Sequence, residues 1–169
     1  MTNATAAELE PIEVSHEIMS RRVARFADLS YNPDRYSDSR REGAQRKVFN
    51  VVGAGLEMTA GGESLPAIEV AEGFNITYVL AKPGNGPSLH IHDANETFIA
   101  VNGHWRVIYG TAEDGVLELG PFDCVSVPAL VPRRFVNITE GSPDEENLLV
   151  AILAGDTPRA KFVDATLEK

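Results

Sequence analysis

The residues best suited to chemistry are His90 and His92, separated by Ile91, and Glu96 four positions further on. Two histidines one residue apart on an extended strand point to the same side. The carboxylate can turn back toward them across a tight corner. Two neutral nitrogens and one anionic oxygen hold one side of a divalent cation and leave its other sites open. Such a set suits Fe, Mn, Ni, Co or Zn, and the sequence does not choose among them. A polar floor without a metal is the plainer alternative.

These residues need rigid strands to hold them. From Val48 onward, short apolar runs alternate with turn residues. Candidate strands are Val48–Val52, Ala67–Val70, Asn75–Ala81, Ser88–His92, Thr97–Val101, Trp105–Tyr109, Val116–Leu119, Cys124–Val127, Arg134–Ile138 and Leu148–Leu153. Turns are marked by Pro83-Gly84-Asn85-Gly86-Pro87, Asn102-Gly103, Asp114-Gly115 and Gly120-Pro121. Many short strands with regular turns predict a sandwich or barrel. Asn102-Gly103 reads as a hairpin turn.

Upstream, Ser15 can cap a helix running to about Leu29, with Ile18, Val23 and Phe26 on one face. Residues 30–47 carry Arg35, Arg40, Arg41, Arg46 and Lys47. They read as a solvated basic loop, with a self-association arm or a pocket lid as the sharper alternative. The expected organisation is an arm and helix over 1–47, a barrel over 48–155 and a peripheral tail over 156–169.

Composition narrows the partners. The 169 residues carry a net charge of −10, which disfavours nucleic acid and anionic membranes. No apolar run is long enough for a bilayer, and residues 1–10 lack the basic-then-apolar pattern of a secretory leader. The single cysteine, Cys124, fits a reducing, cytoplasmic setting and reads as a small buried thiol. His104 reads as a solvent-facing turn histidine, and His16 could reach the histidine pair only by wrapping around.

The wider spacing is more specific. Gly84, His90, His92, Glu96 and Gly103 fall at every signature position of the first cupin motif. The chain resembles the cupin superfamily over about residues 65–155. The second motif is only partly kept. Pro128 and Asn137 are in place, but Phe122 and Leu130 replace its glycines, and Arg133 stands where its histidine should be.

The resemblance implies an all-β, cupin-type jelly-roll β-barrel with a short N-terminal helix and arm. It implies a divalent metal at His90, His92 and Glu96 without the usual fourth ligand, because a guanidinium has donors only and stays protonated. The expected function is a metal-dependent enzyme acting on a small polar or acidic metabolite, with oxygenase action first and isomerase or lyase action behind. The competing expectation is a small-molecule-binding cupin without catalysis. Arg133 is the candidate catalytic residue and receptor for a substrate carboxylate; the plainer alternative is an arginine that only pairs with a nearby acid such as Glu96 or Asp123. Phe98 and Tyr78 are candidate pocket residues, and Arg134, of opposite parity, should point outward. Family habit also implies a homodimer.

Overall fold

The computed structural model describes residues 10–55, 57–58 and 65–167. Among them, twelve strands form two six-stranded sheets. In chain order these are β1 Lys47–Gly53, β2 Glu57–Met58, β3 Ile68–Glu69, β4 Phe74–Ala81, β5 His90–His92, β6 Glu96–Ala100, β7 Trp105–Tyr109, β8 Gly115–Leu119, β9 Cys124–Val127, β10 Arg133–Asn137, β11 Asn147–Ala154 and β12 Arg159–Phe162. One sheet runs β3-β1-β4-β11-β6-β9 and the other β2-β12-β5-β10-β7-β8. The fold is an all-β jelly roll.

Strict alternation builds the interior. In β6, β10 and β11 every second residue is buried, which is the period-two pattern of a strand with one face on a core. Phe98, Trp105, Val107, Phe135 and Leu149 fill the space between the sheets. Phe135 meets Phe98 and Trp105 edge-on, with ring centroids 5.2 and 5.8 Å apart. Trp105 keeps its polar edge satisfied by donating from Nε1 to the Asn102 carbonyl, 3.0 Å away.

Three expectations need correcting. Asn102-Gly103 does not close a hairpin: β6 and β7 belong to different sheets, and the turn carries the chain across the barrel. The Asn102 side chain instead accepts from the Leu148 amide at 2.6 Å. Asp114-Gly115 does join paired strands, β7 and β8. The tail is not peripheral, since β12 pairs with the histidine strand, Phe162 opposite His90 and Ala160 opposite His92. Cys124 is exposed, because β9 turns Val125 and Val127 inward.

The N-terminal helix is also shorter than its pattern suggested. Ser15 does cap it, accepting from the Ile18 amide at 3.3 Å, but the helix covers only His16–Ser20. One turn and a half nucleates poorly without packing, and none of its residues is buried. A short 3-10 turn follows at Phe26–Asp28. There Phe26 rests on Phe49 and Tyr78, on the outer side of the first sheet.

Residues 30–47 are only partly a solvated loop. Arg40 and Arg41 are exposed, but Asp38 is fully buried, and the Arg46 side chain beside it is 4% exposed. Part of the glycine-rich stretch after Gly53, including residues 59–62, lies outside the described residues.

Candidate metal centre

β5 turns His90 and His92 inward together, and a tight corner through Asp93–Asn95 returns Glu96 at the start of β6. The corner is pinned by Asp93, whose carboxylate accepts from the amide and guanidinium of Arg159 at 2.8 and 2.6 Å. All three side chains are buried, and their ligand atoms lie within 4.8 Å of one another. His92 Nε2 is 3.5 Å from Glu96 Oε2.

The protonation pattern suits metal binding. His90 Nδ1 donates to the Ser88 carbonyl at 2.8 Å, which leaves the Nε2 lone pair available. Burial pushes His90 down to about 4 and His92 to about 2, so both imidazoles are neutral near pH 7. Burial also raises Glu96 to about 7, against the pull of the Arg133 guanidinium.

Glu96 Oε2 is buried with no polar contact closer than Arg133 Nε at 3.4 Å and His92 Nε2 at 3.5 Å, neither in hydrogen-bond geometry, and His92 Nδ1 makes no short hydrogen bond. Buried polar atoms normally find partners, and a bound cation satisfies such lone pairs directly. The residues therefore fit a divalent ion.

Arg133 sits beside this set but not at the cavity. It is paired in register with His90 across the β5–β10 ladder and is fully buried. Its Nε lies 3.4 Å from Glu96 Oε2, and its Nη2 reaches the Ala94 and Pro128 carbonyls at 3.5 and 3.4 Å. It backs the Glu96 carboxylate from the side away from the open space. Arg134 points outward and pairs with Glu113, as its parity required.

The cavity opens on the other side of the histidines. It is narrow, about 60 Å³, well below the range of sites for drug-sized molecules and suited only to a small ligand. Apolar side chains such as Val79, Leu153 and Phe162 dominate its wall, and His90, His92 and Glu96 supply polar groups alongside Thr77, Tyr36 and Arg46.

Two expected pocket residues are elsewhere. Phe98 is fully buried in the core against Phe135. Tyr78 lies on the outer face of β4 under Phe26, because β4 turns Thr77 and Val79 toward the cavity. His104 and His16 are exposed and outside the cluster.

Two pocket residues come from the segment before the barrel, in keeping with the pocket-lid alternative rather than with a wholly solvated loop. Tyr36 and Arg46 of the 30–47 segment line the cavity. The only hint in the sequence is Tyr36 and Asp38 set among arginines, an acid and a ring suited to hold one of them.

The family comparison agrees with this geometry. Residues 77–143 match the model of the cupin domain. The chain contains a cupin domain. Among solved structures, a cupin 2 domain-containing protein from Halorhodospira halophila is 25% identical over 79% of this chain and 83% of its own, with a TM-score of 0.54. An oxalate decarboxylase from Lactobacillus farciminis, solved as a formate complex, gives 0.59 at 17% identity. It covers 84% of this chain, which spans only 36% of the decarboxylase. A polyketide cyclase from Streptomyces resistomycificus gives 0.55 at 14% identity over 78% of each chain. The last two likenesses concern the fold. A search of curated sequences gives no match.

The altered positions of the second cupin motif now have physical meanings. Phe122 and Leu130, which replace glycines, keep the left-handed backbone at φ 69 and 63°. Both side chains are mostly exposed, so the turns survive at the cost of strain. Asn137 is a structural knot. It donates to the Ala81 carbonyl at 2.7 Å and to Asn147 Oδ1 at 3.0 Å, and accepts from the Thr139 amide.

Proposed function

We propose that this cupin is a metal-dependent enzyme acting on a small acidic metabolite, oxygenase chemistry first, isomerase or lyase chemistry second. His90 and His92 would ligate through neutral nitrogens and Glu96 through an ionised oxygen. A bound divalent ion would supply Lewis-acid or dioxygen-binding chemistry. The carrying observation is the buried triad of His90, His92 and Glu96, whose ligand atoms lie within 4.8 Å of one another at the wall of a largely apolar cavity.

Charge counting supports an acidic substrate. Arg46 cancels Asp38 and Arg133 cancels Glu96. The ion's own charge is then uncompensated among apolar walls, where an unpaired charge costs several kcal/mol. A ligand that brings negative charge relieves this. Arg133 serves the reaction by holding and neutralising Glu96, a positioning role that replaces the substrate contact expected from sequence. The apolar walls exclude water around the bound substrate.

The test is metal content and turnover together. The purified protein is expected to hold about one ion per chain and the His92→Ala variant almost none. Oxygen uptake across a panel of small carboxylic acids separates oxygenase from isomerase or lyase action. The missing third histidine favours a second reading, a binding module without catalysis. A metal-free protein that still binds a carboxylate would support it.

A homodimer would bury Ile18, Val23 and Phe26, each more than half exposed. A solution mass of one 18.3 kDa chain contradicts that arrangement.

A further inference from the structure

A continuous chain of contacts runs from the N-terminal segment to a metal-centre histidine. Asp38 is fully buried. Its carboxylate takes a two-pronged pair from Arg46, at 3.0 and 3.1 Å. Arg46 is fixed further by the Ala44 carbonyl at 2.8 Å and by the Tyr36 ring, 4.8 Å from its guanidinium carbon. The same carboxylate accepts from the Ser88 amide at 2.8 Å. The Ser88 carbonyl in turn accepts from His90 Nδ1. A second tie lies beside the first, the Gly86 amide donating to the Gly43 carbonyl at 2.9 Å. The 83–88 segment is held tightly from the other side as well. A Cβ at Gly86 would collide with the Phe135 carbonyl.

We propose that Asp38 is a positioning residue of the metal centre: through Ser88 it fixes the orientation and tautomer of His90, so the segment before the barrel is a working part of the site. The inference rests on the metal-binding reading above only for its effect on affinity. The physical reason is local. β5 is three residues long, too short to set the His90 ring by its own ladder. The Ser88 carbonyl that orients the ring belongs to a loop, and this loop is held by a buried carboxylate outside the barrel. Outer partners of metal-ligating histidines typically contribute about 10- to 100-fold in metal affinity.

Removing Asp38 alone would strand the buried Arg46 charge, so the test uses paired substitutions on the full chain. Asp38→Asn with Arg46→Met keeps an acceptor for the Ser88 amide. Asp38→Ala with Arg46→Met removes it. Co²⁺ affinity is measured by absorption titration, and the His90 tautomer by long-range ¹H–¹⁵N NMR of the metal-free protein.

The first variant is expected to stay within about threefold of wild type and to keep the Nδ1–H form. The second is expected to lose about 10- to 100-fold and to show mixed His90 tautomers, with unchanged far-UV circular dichroism. Equal affinity and equal tautomers in the two variants would overturn the proposal.

If the alanine variant does not fold, Asp38→Glu decides. It keeps the charge but displaces the acceptor, and a wild-type affinity and tautomer there contradict the proposal. A wild-type chain that takes up no Co²⁺ removes the enzyme reading, while the tautomer comparison still decides the role of Asp38.

Discussion

The barrel interior has two regions built by one rule and put to different uses. Toward β6, β7 and β10, alternation delivers Phe98, Trp105 and Phe135, which interlock into a solid core. Toward β1, β5 and β12, the same alternation delivers His90, His92, Val48 and Phe162 around open space. Arg133 and Glu96 lie on the boundary, 3.4 Å apart. Strand parity decides which side chains enter a barrel, and their size and polarity decide whether they fill it or line a site.

The largest effect should come from breaking the solid region. Trp105→Ala is expected to cost about 3–5 kcal/mol of stability, read by denaturant unfolding, while the histidine cluster loses no ligand. A loss under 1 kcal/mol would mean that the aromatic packing is not the foundation of the barrel.

The next largest belongs to the polar region. The Glu96 carboxyl rises from 4.5 to about 7 on folding. A raised carboxyl costs nothing below its unfolded value. The penalty grows as pH rises from 4.5 to 7 and is constant above that. The stability difference between Glu96→Gln and wild type should therefore move in the variant's favour by on the order of 3 kcal/mol between pH 4.5 and pH 8 in the metal-free protein. A pH-independent difference contradicts the assignment. The histidines act in the opposite sense. Their lowered values make the wild type lose stability as pH falls below 6.5.

Metal affinity sharpens the same contrast. Glu96 must shed its proton to bind, whereas both imidazoles are already neutral. Affinity should rise about tenfold per pH unit below about 7 and level off above it. Titrations with Mn²⁺ across pH 5.5–8.5 check this, and a rise continuing past pH 8 would speak against Glu96 as the coupled group.

The smallest effect concerns the altered turns. Leu130→Gly restores the residue that a left-handed backbone favours and should raise stability by about 0.5–1 kcal/mol. A fall in Tm would show that the exposed leucine has a role of its own.

Much of this architecture was legible before any coordinates. Apolar runs at Thr97–Val101 and Leu148–Leu153 marked strands to within a residue, and the Gly84-to-Gly103 spacing singled out the histidine cluster. What stayed hidden depended on contacts distant in sequence. β12 looks like a tail because four residues, Arg159–Phe162, become a strand only by pairing with β5. Asn102-Gly103 has hairpin chemistry, but tertiary packing sends its flanking strands to different sheets. Tyr78 was placed one position out of phase, and a one-residue slip reverses every side chain on a strand. The 30–47 segment read as a solvated basic loop because nothing local reveals that Arg46 and Asp38 bury each other.

The most direct test of the central claim is an anomalous difference map from crystals grown with Mn²⁺. The account predicts a strong peak within bonding distance of His90 Nε2, the His92 ring and the Glu96 carboxylate, on the cavity side of Arg133. A map with no peak there, from crystals saturated with the ion, would contradict it.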